Sequence, residues 1–373
     1  MARSVASMPV WRRRTLLKSS LLLAAGALLP ANCRVSSEQQ DIATEQTTAS
    51  SGALAMPVHI VRFEHQNLVQ WGVIRKGLIS RIPGEYANTG ELIRHTQLPH
   101  LAALPDGDLP LEAVKLLSPV TRDQQFICQG ANYRQHMIES GMDPDVKKFN
   151  MIFTKATSCI VPADSELIKP HDVRFLDYEI ELGLVLKRDI DAKQWVTDAN
   201  LHEFVAGVVI VNDYSARDIQ IPQMQFYKGK SYRTFGPIGP YLCLLDAKDM
   251  PYLKKLQLRL SVNGKTRQDD STANLVFGPA ETLTELSGVQ NLSAGDLIAT
   301  GTPAGCALSI PSPAKQRIAA LLPEAVKWKA FMKAQEGRND YYLKQGDVVE
   351  ASIRSADGLI DLGTQRNVVV EQA

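Results

Sequence analysis

Three acidic side chains set inside otherwise apolar strand-like runs constrain this chain more than any other feature. They fall between Phe175 and Gly239. Asp177-Tyr178-Glu179-Ile180-Glu181-Leu182 leads into Gly183-Leu184-Val185-Leu186, and a second run, Val205 to Val211, ends at Asn212-Asp213. Side chains alternate faces along a strand, so Glu179 and Glu181, two apart, point to the same face. Asp213 stands where the second strand stops. Carboxylates gathered without a counter-charge repel one another and raise each other's pKa. A hard divalent cation resolves that conflict, and an all-oxygen ligand set suits Mg²⁺, Mn²⁺ or Ca²⁺ rather than Zn²⁺.

The totals set outer bounds. At 373 residues the chain can bury a large core and carry more than one domain. Its 41 basic and 40 acidic residues balance, so no nucleic-acid-binding surface is implied. The five cysteines, Cys33, Cys128, Cys159, Cys243 and Cys306, show no CxxC spacing and argue against a zinc ribbon or a thioredoxin-like site.

The N-terminus reads as an address. Trp11-Arg12-Arg13-Arg14-Thr15-Leu16-Leu17-Lys18 precedes a short apolar run, Leu21 to Leu29, and then Pro30-Ala31. Basic, apolar and small residues in that order make an export signal over residues 1–33. The paired arginines resemble a bacterial twin-arginine signal, which implies the twin-arginine (Tat) export machinery as a partner and a periplasmic or exported location. Residues 34–56 are Ser, Thr, Gln, Glu and Ala with hardly a large apolar side chain, which predicts a disordered linker.

From Val58 the pattern turns to short β-type runs broken by Gly or polar residues, which predicts a small β-rich N-terminal domain over 57–118. Pro119 opens a larger domain, 119–373. Phe126-Ile127-Cys128 reads as a strand leading into Gly130-Ala131-Asn132-Tyr133-Arg134-Gln135-His136-Met137-Ile138-Glu139. On a helix, His136 and Glu139 are neighbours on one face, and a carboxylate beside an imidazole favours the charged ring and prepares a general base. Lys155, ending the run Met151 to Thr154, reads as a solvated strand-end lysine. Arg217 carries a planar fork suited to a substrate carboxylate, or equally to an ion pair with Asp218 or another internal acid. Lys230 after Gly229 offers a point charge to an anionic group. Asn263-Gly264 predicts a hairpin turn. Thr300-Gly301-Thr302-Pro303-Ala304-Gly305 can present N–H groups and a hydroxyl to an anion. Over 312–343 the apolar residues Ile318, Leu321, Leu322, Val326, Phe331 and Met332 recur at near-helical spacing, with Pro323 dividing two helical pieces.

Taken together and in order, Asp177-Tyr178-Glu179-x-Glu181-Leu182, Asn212-Asp213-Tyr214-Ser215-Ala216-Arg217-Asp218, Gly229-Lys230-Ser231, Thr300-Gly301-Thr302-Pro303-x-Gly305 and Gly130-x-Asn132-Tyr133-x-x-His136-x-x-Glu139 resemble the fumarylacetoacetate hydrolase family over roughly residues 57 to 373. The resemblance implies an α+β, mainly β fold, a rolled mixed sheet forming the catalytic domain, and a homodimer. It implies Glu179, Glu181 and Asp213 as ligands of Mg²⁺ or Mn²⁺, and His136 with Glu139 as a water-activating dyad. Lys230 would be catalytic and contact substrate, as would Tyr133, Gln220 and Thr302 by contact alone, with Arg217 beside them. The expected reaction is hydrolysis of a carbon–carbon bond in a 2,4-diketo acid such as an acylpyruvate. An isomerase, tautomerase or decarboxylase of 2-oxo acids is the alternative on the same site, and a non-catalytic dicarboxylate binder is a third. The His136/Glu139 pair argues against the third, because a binder needs no prepared base. Three departures from the family pattern stand out: Arg233 in place of an acidic or small residue, Cys306 in place of valine, and the long helical insertion.

Overall fold

The structure is a computed structural model, and it describes residues 57–311, 313–319 and 321–372. The export signal and linker expected over 1–33 and 34–56 lie outside the described residues. Among the described residues no helix is long and apolar enough to cross a membrane.

The two apolar runs around the acidic motifs form the centre. Ile180–Leu186 and Val205–Asn212 pair antiparallel, with Ile180 opposite Asn212 and Glu181 opposite Val211. Every residue of both strands is buried, which is why neither shows the apolar–polar alternation of a half-exposed strand. Alternate residues pack in different cores. Leu182, Leu184, Val208 and Ile210 join one cluster, with Leu258, Leu260, Val349, Ile353 and Leu362 from a second sheet. Val185, Val209 and Val211 face the other way, into a cluster with Ile60, Trp71, Val73 and Leu92 from the N-terminal segment.

These strands belong to a thirteen-stranded mixed sheet. On one side, Val205–Asn212 pairs with Leu242–Leu244, and that strand with Val58–His65. The N-terminal strands Leu68–Arg75 and Leu78–Arg81 extend the same sheet. On the other side, Ile180–Leu186 pairs with Leu297–Ala299, which runs parallel to Phe126–Gly130, and this pairs with Met151–Thr154. The second sheet has five strands in the order Lys265–Ser271, Gln257–Val262, Val348–Arg354, Asp361–Glu371, Asp164–Lys169. The Asn263-Gly264 turn joins its first two strands, both residues at positive φ (51° and 75°), as the dipeptide predicts. The fold is mixed α+β and mainly β, as expected.

One local outcome differs from the sequence reading, and one follows it. The N-terminal segment carries a helix, Thr89–His95, capped by the Asn88 side chain accepting from the Glu91 N–H. Only seven residues long, it offers too few turns for a visible apolar stripe. The segment 312–343 does form two helices, Pro313–Ala319 and Glu324–Glu336, parted at Pro323. The second is tied to the body by Gln335, whose amide donates to the Ser309 carbonyl at 2.9 Å, and by the Arg174–Glu336 ion pair at 2.5 Å.

Candidate metal centre and active site

The register of the central strand pair assembles the acidic group. The Asp213 N–H donates to the Glu179 carbonyl at 2.8 Å, so Asp213 stands across from Glu179 and on the face shared with Glu181. Ligand oxygens of Glu179, Glu181 and Asp213 all lie within 4.8 Å of one another, and all three side chains are buried. Asp177 lies just before them in the chain. Its oxygens accept from the Ala307 and Leu308 N–H groups at 2.7 and 3.0 Å, which ties the loop after Gly305 to the carboxylate strand.

Four buried carboxylates here meet three buried cations, Lys155, Arg217 and Lys230. Arg217 spends its whole fork locally: Nε on Asp177 (2.8 Å), Nη2 on Glu179 (2.5 Å) and Nη1 on the Gln220 side-chain oxygen (2.8 Å). Its partners are therefore Asp177 and Glu179. Asp218 instead accepts the N–H groups of Arg174 and Phe175. Lys230 bridges Glu179 and Asp213. Burial pushes the Glu179 carboxyl up, but Arg217 and Lys230 outweigh it and hold it well below its ordinary range. Burial pulls Lys230 down, and Asp213 with Glu179 more than restores it.

Glu181 is the uncompensated member. Its Oε2 accepts one hydrogen bond, from the Gly301 N–H at 2.8 Å. Burial, then Asp213 and Glu179, drive its pKa well up. That surplus negative charge, on oxygens that converge with those of Glu179 and Asp213, fits a divalent cation with oxygen ligands. Gly301 can deliver its N–H because it sits at φ +87°, where a Cβ would come within 2.8 Å of the Asn132 Cβ.

Lys155 is not solvated. Its side chain is fully buried; Nζ donates to Asp213 Oδ1 at 2.5 Å and to the Phe235 carbonyl at 2.7 Å. The strand-end position is real, since Met151–Thr154 stops just before it, but the strand ends against the acidic cluster rather than at the surface. A local pattern cannot reveal that, whereas the excess of buried carboxylates over cations is a signal pointing to it.

His136 and Glu139 share the helix Arg134–Glu139 and line one cavity. Glu139 is exposed, and its carboxylate meets the Gln135 amide at 3.5 Å. Burial is the largest influence on His136 and lowers its pKa; Glu179 and Glu139 pull the other way without prevailing. The expectation of a carboxylate-charged ring is thus reversed: burial disfavours the charged imidazole.

Other expected substrate contacts are used internally. Thr302 donates to the Ile180 carbonyl at 2.9 Å and accepts from the Gln268 amide at 2.8 Å. Gln220 is buried against Arg217. The Tyr133 hydroxyl is buried with no hydrogen-bond partner among the described residues, and burial followed by Glu181 pushes its pKa well up. Gln268 was not foreseen: it accepts from the Ile180 N–H and grips Thr302 and Pro303, joining the carboxylate strand to the Gly-Thr-Pro loop. Arg233 is exposed and does not line the cavity with His136. Cys306 does line it, with Sγ 4.0 Å from Glu179 Oε1. The insertion reaches the same cavity through Arg338 and Tyr341.

With this geometry in view, comparison with known proteins is decisive for the family. The pattern described as fumarylacetoacetate (FAA) hydrolase C-terminal matches residues 125–370. The chain belongs to the fumarylacetoacetate hydrolase family. Residues 58–119 match the pattern described as Rv2993c-like, N-terminal. Among curated family proteins, the oxaloacetate tautomerase YisK of Bacillus subtilis (strain 168) is 35% identical over 240 residues, covering 61% of this chain and 78% of that protein. Among solved structures, the fumarylacetoacetate hydrolase of Exiguobacterium antarcticum superposes with a TM-score of 0.63 at 28% identity, over 84% of this chain and 100% of the other. A probable 2-hydroxyhepta-2,4-diene-1,7-dioate isomerase from Mycobacterium abscessus gives a TM-score of 0.63 at 27% identity, over 85% and 100%. Family members similar to this chain thus carry both hydrolase and isomerase names.

Proposed function

We propose that this family enzyme is a divalent-cation-dependent tautomerase that interconverts the enol and keto forms of a 2-oxo acid. The observation that carries the reading is the placement of His136: a single imidazole lining a cavity that adjoins Glu179, with Glu139 meeting Gln135 instead of the ring, and with burial lowering rather than raising the ring's pKa. Tautomerisation asks for one base that takes a proton and returns it, with no attacking water to aim. The three-carboxylate cluster would hold the cation, which supplies Lewis acidity toward a chelated carboxylate and keto oxygen. His136 would remove the C3 proton of the keto acid; the C–H pair becomes the C2–C3 double bond, and the oxygen takes up a proton. Lys230, kept protonated by Asp213 and Glu179, would steady the negative charge that develops on that oxygen. The tautomerase relative supports this choice over other reactions of the family.

Carbon–carbon hydrolysis of an acylpyruvate is the second reading. It is favoured by Glu139 lining the same cavity as His136, one helical turn along the same face. Mixing the purified protein and Mg²⁺ or Mn²⁺ with enol 2-oxo acids and acylpyruvates separates the two. The tautomerase predicts fast loss of enol absorbance with no new acid product. Release of two acids from an acylpyruvate at a comparable rate, with slow enol exchange, would overturn it in favour of hydrolysis. Two sequence-based proposals accompany this one: twin-arginine export, tested by cell fractionation with Arg13 and Arg14 replaced by Lys, and a homodimer, tested by light scattering.

A further inference from the structure

The insertion helices Pro313–Ala319 and Glu324–Glu336 are joined by a tight turn. The Leu321 N–H closes it on the Ile318 carbonyl, and the Leu322 N–H on that of Ala319. The Val326 and Lys327 N–H groups both return to the Pro323 carbonyl, so the second helix starts at once. Ile318, Leu321, Leu322 and Val326 therefore gather at one tip. All four are exposed, Ile318 at 64% and Leu321 at 86%, and among the described residues no other large apolar side chain is as exposed as Leu321. Single exposed apolar side chains are ordinary, whereas four on one short turn mark a contact surface.

The second helix turns a different face to the body. Trp328, Phe331 and Met332 are half-buried and Gln335 is buried, spaced as one helical stripe, and Met332 packs on the main core. Val326, Lys329 and Lys333 hold the same spacing on the opposite side, and all three are exposed. Lys327 is exposed beside them, as are Lys315 and Arg317 on the first helix. Among the described residues none of these five basic side chains forms an ion pair. Glu324 is the one acid between Lys315 and Lys333, and its carboxylate accepts from the Trp328 indole at 3.2 Å.

An apolar tip inside a basic collar complements a surface that is negative outside and apolar beneath. Two copies of the tip facing each other would instead oppose like charges. We propose that this hairpin docks on an anionic lipid bilayer. Ile318, Leu321, Leu322 and Val326 enter the boundary between headgroups and acyl chains, and the lysines with Arg317 lie among the lipid phosphates.

The test uses the full chain with Cys33→Ser and an environment-sensitive fluorophore attached through Leu321→Cys; the remaining cysteines, Cys128, Cys159, Cys243 and Cys306, are buried. On vesicles of phosphatidylglycerol and phosphatidylcholine in equal parts, the emission should shift to the blue and intensify. On phosphatidylcholine alone it should stay as in buffer. Replacing Lys327, Lys329 and Lys333 with Gln should weaken vesicle binding by about fivefold per lysine, and added salt should weaken it too. Ile318→Asp should weaken it by at least about 10-fold. These side chains are exposed, so the melting temperature should not change. The label reads the tip itself: sedimentation with vesicles but no blue shift means attachment through another part of the chain, and overturns the proposal. Equal shifts on neutral and anionic vesicles, or unchanged affinity after the lysine replacements, overturn it as well. A blue shift without vesicles that grows with protein concentration assigns the tip to a second copy of the chain, which also overturns it.

Discussion

Replacing Lys155 with methionine tests the charge architecture beneath the proposed cation site. The ammonium is fully buried and holds Asp213 Oδ1 at 2.5 Å and the Phe235 carbonyl at 2.7 Å. Methionine keeps much of the side-chain volume and removes the charge. Asp213 is then left with Lys230 as its ion-pair partner, and Lys230 is already shared with Glu179. Stripping one partner from a buried pair costs roughly 3–5 kcal/mol, because the remaining charge stays buried. Relief of the lysine's own desolvation offsets part of this, so a net loss of about 3 kcal/mol is expected in the metal-free protein. For a domain of this size that is a fall of about 6 °C in Tm. A divalent cation restores a counter-charge to Asp213, so the loss should shrink when Mg²⁺ or Mn²⁺ is present. Scanning calorimetry in chelator and in excess cation reads both quantities. The cation-induced rise in Tm should be larger in Lys155→Met than in the parent. The double change Lys155→Met with Asp213→Asn should recover stability in chelator and lose the cation response. A Lys155→Met protein that melts like the parent in chelator, or that responds less to cation, would refute the reasoning.

Glu181→Gln should leave chelator-treated stability unchanged or raised, because the charged carboxyl is disfavoured where it sits, while cation affinity measured by calorimetry drops at least ~10-fold. For His136 the working form is the neutral ring and burial lowers its pKa, so kcat/KM should be flat above the ordinary value of 6.5 and fall only at lower pH. An acid limb centred above 6.5 would show that Glu139 or Glu179, not burial, governs the ring; His136→Gln should cost ~10²- to 10⁴-fold in rate. Gly301→Ala forces a Cβ into a left-handed backbone position against Asn132 and should lower stability by more than ~1 kcal/mol, with weaker cation binding through the displaced Glu181 hydrogen bond. Unchanged urea midpoint and cation affinity in that variant would count against the loop's role.

What the sequence determined by itself is what period and spacing carry. Two glutamates two residues apart on an apolar strand must share a face, and an aspartate at the end of the next strand can join them. His136 and Glu139 at helical spacing, the Asn263-Gly264 turn, and two helices parted at Pro323 were legible for the same reason, since each is written within a few residues. The fate of charge was not. Whether Lys155 meets water or Asp213 depends on a strand 58 residues away, and its burial follows from a balance of charges summed over three dimensions. The same holds for Thr302 and Gln220, whose polar groups are spent on Ile180 and Arg217, and for His136, where burial outweighs the nearby acids. Arg267 and Arg338 stand 71 residues apart and both reach the Tyr341 ring because Lys265–Ser271 and the insertion fold against the same cavity. Local pattern fixes which way a side chain points; only tertiary packing decides what waits there and how much water remains.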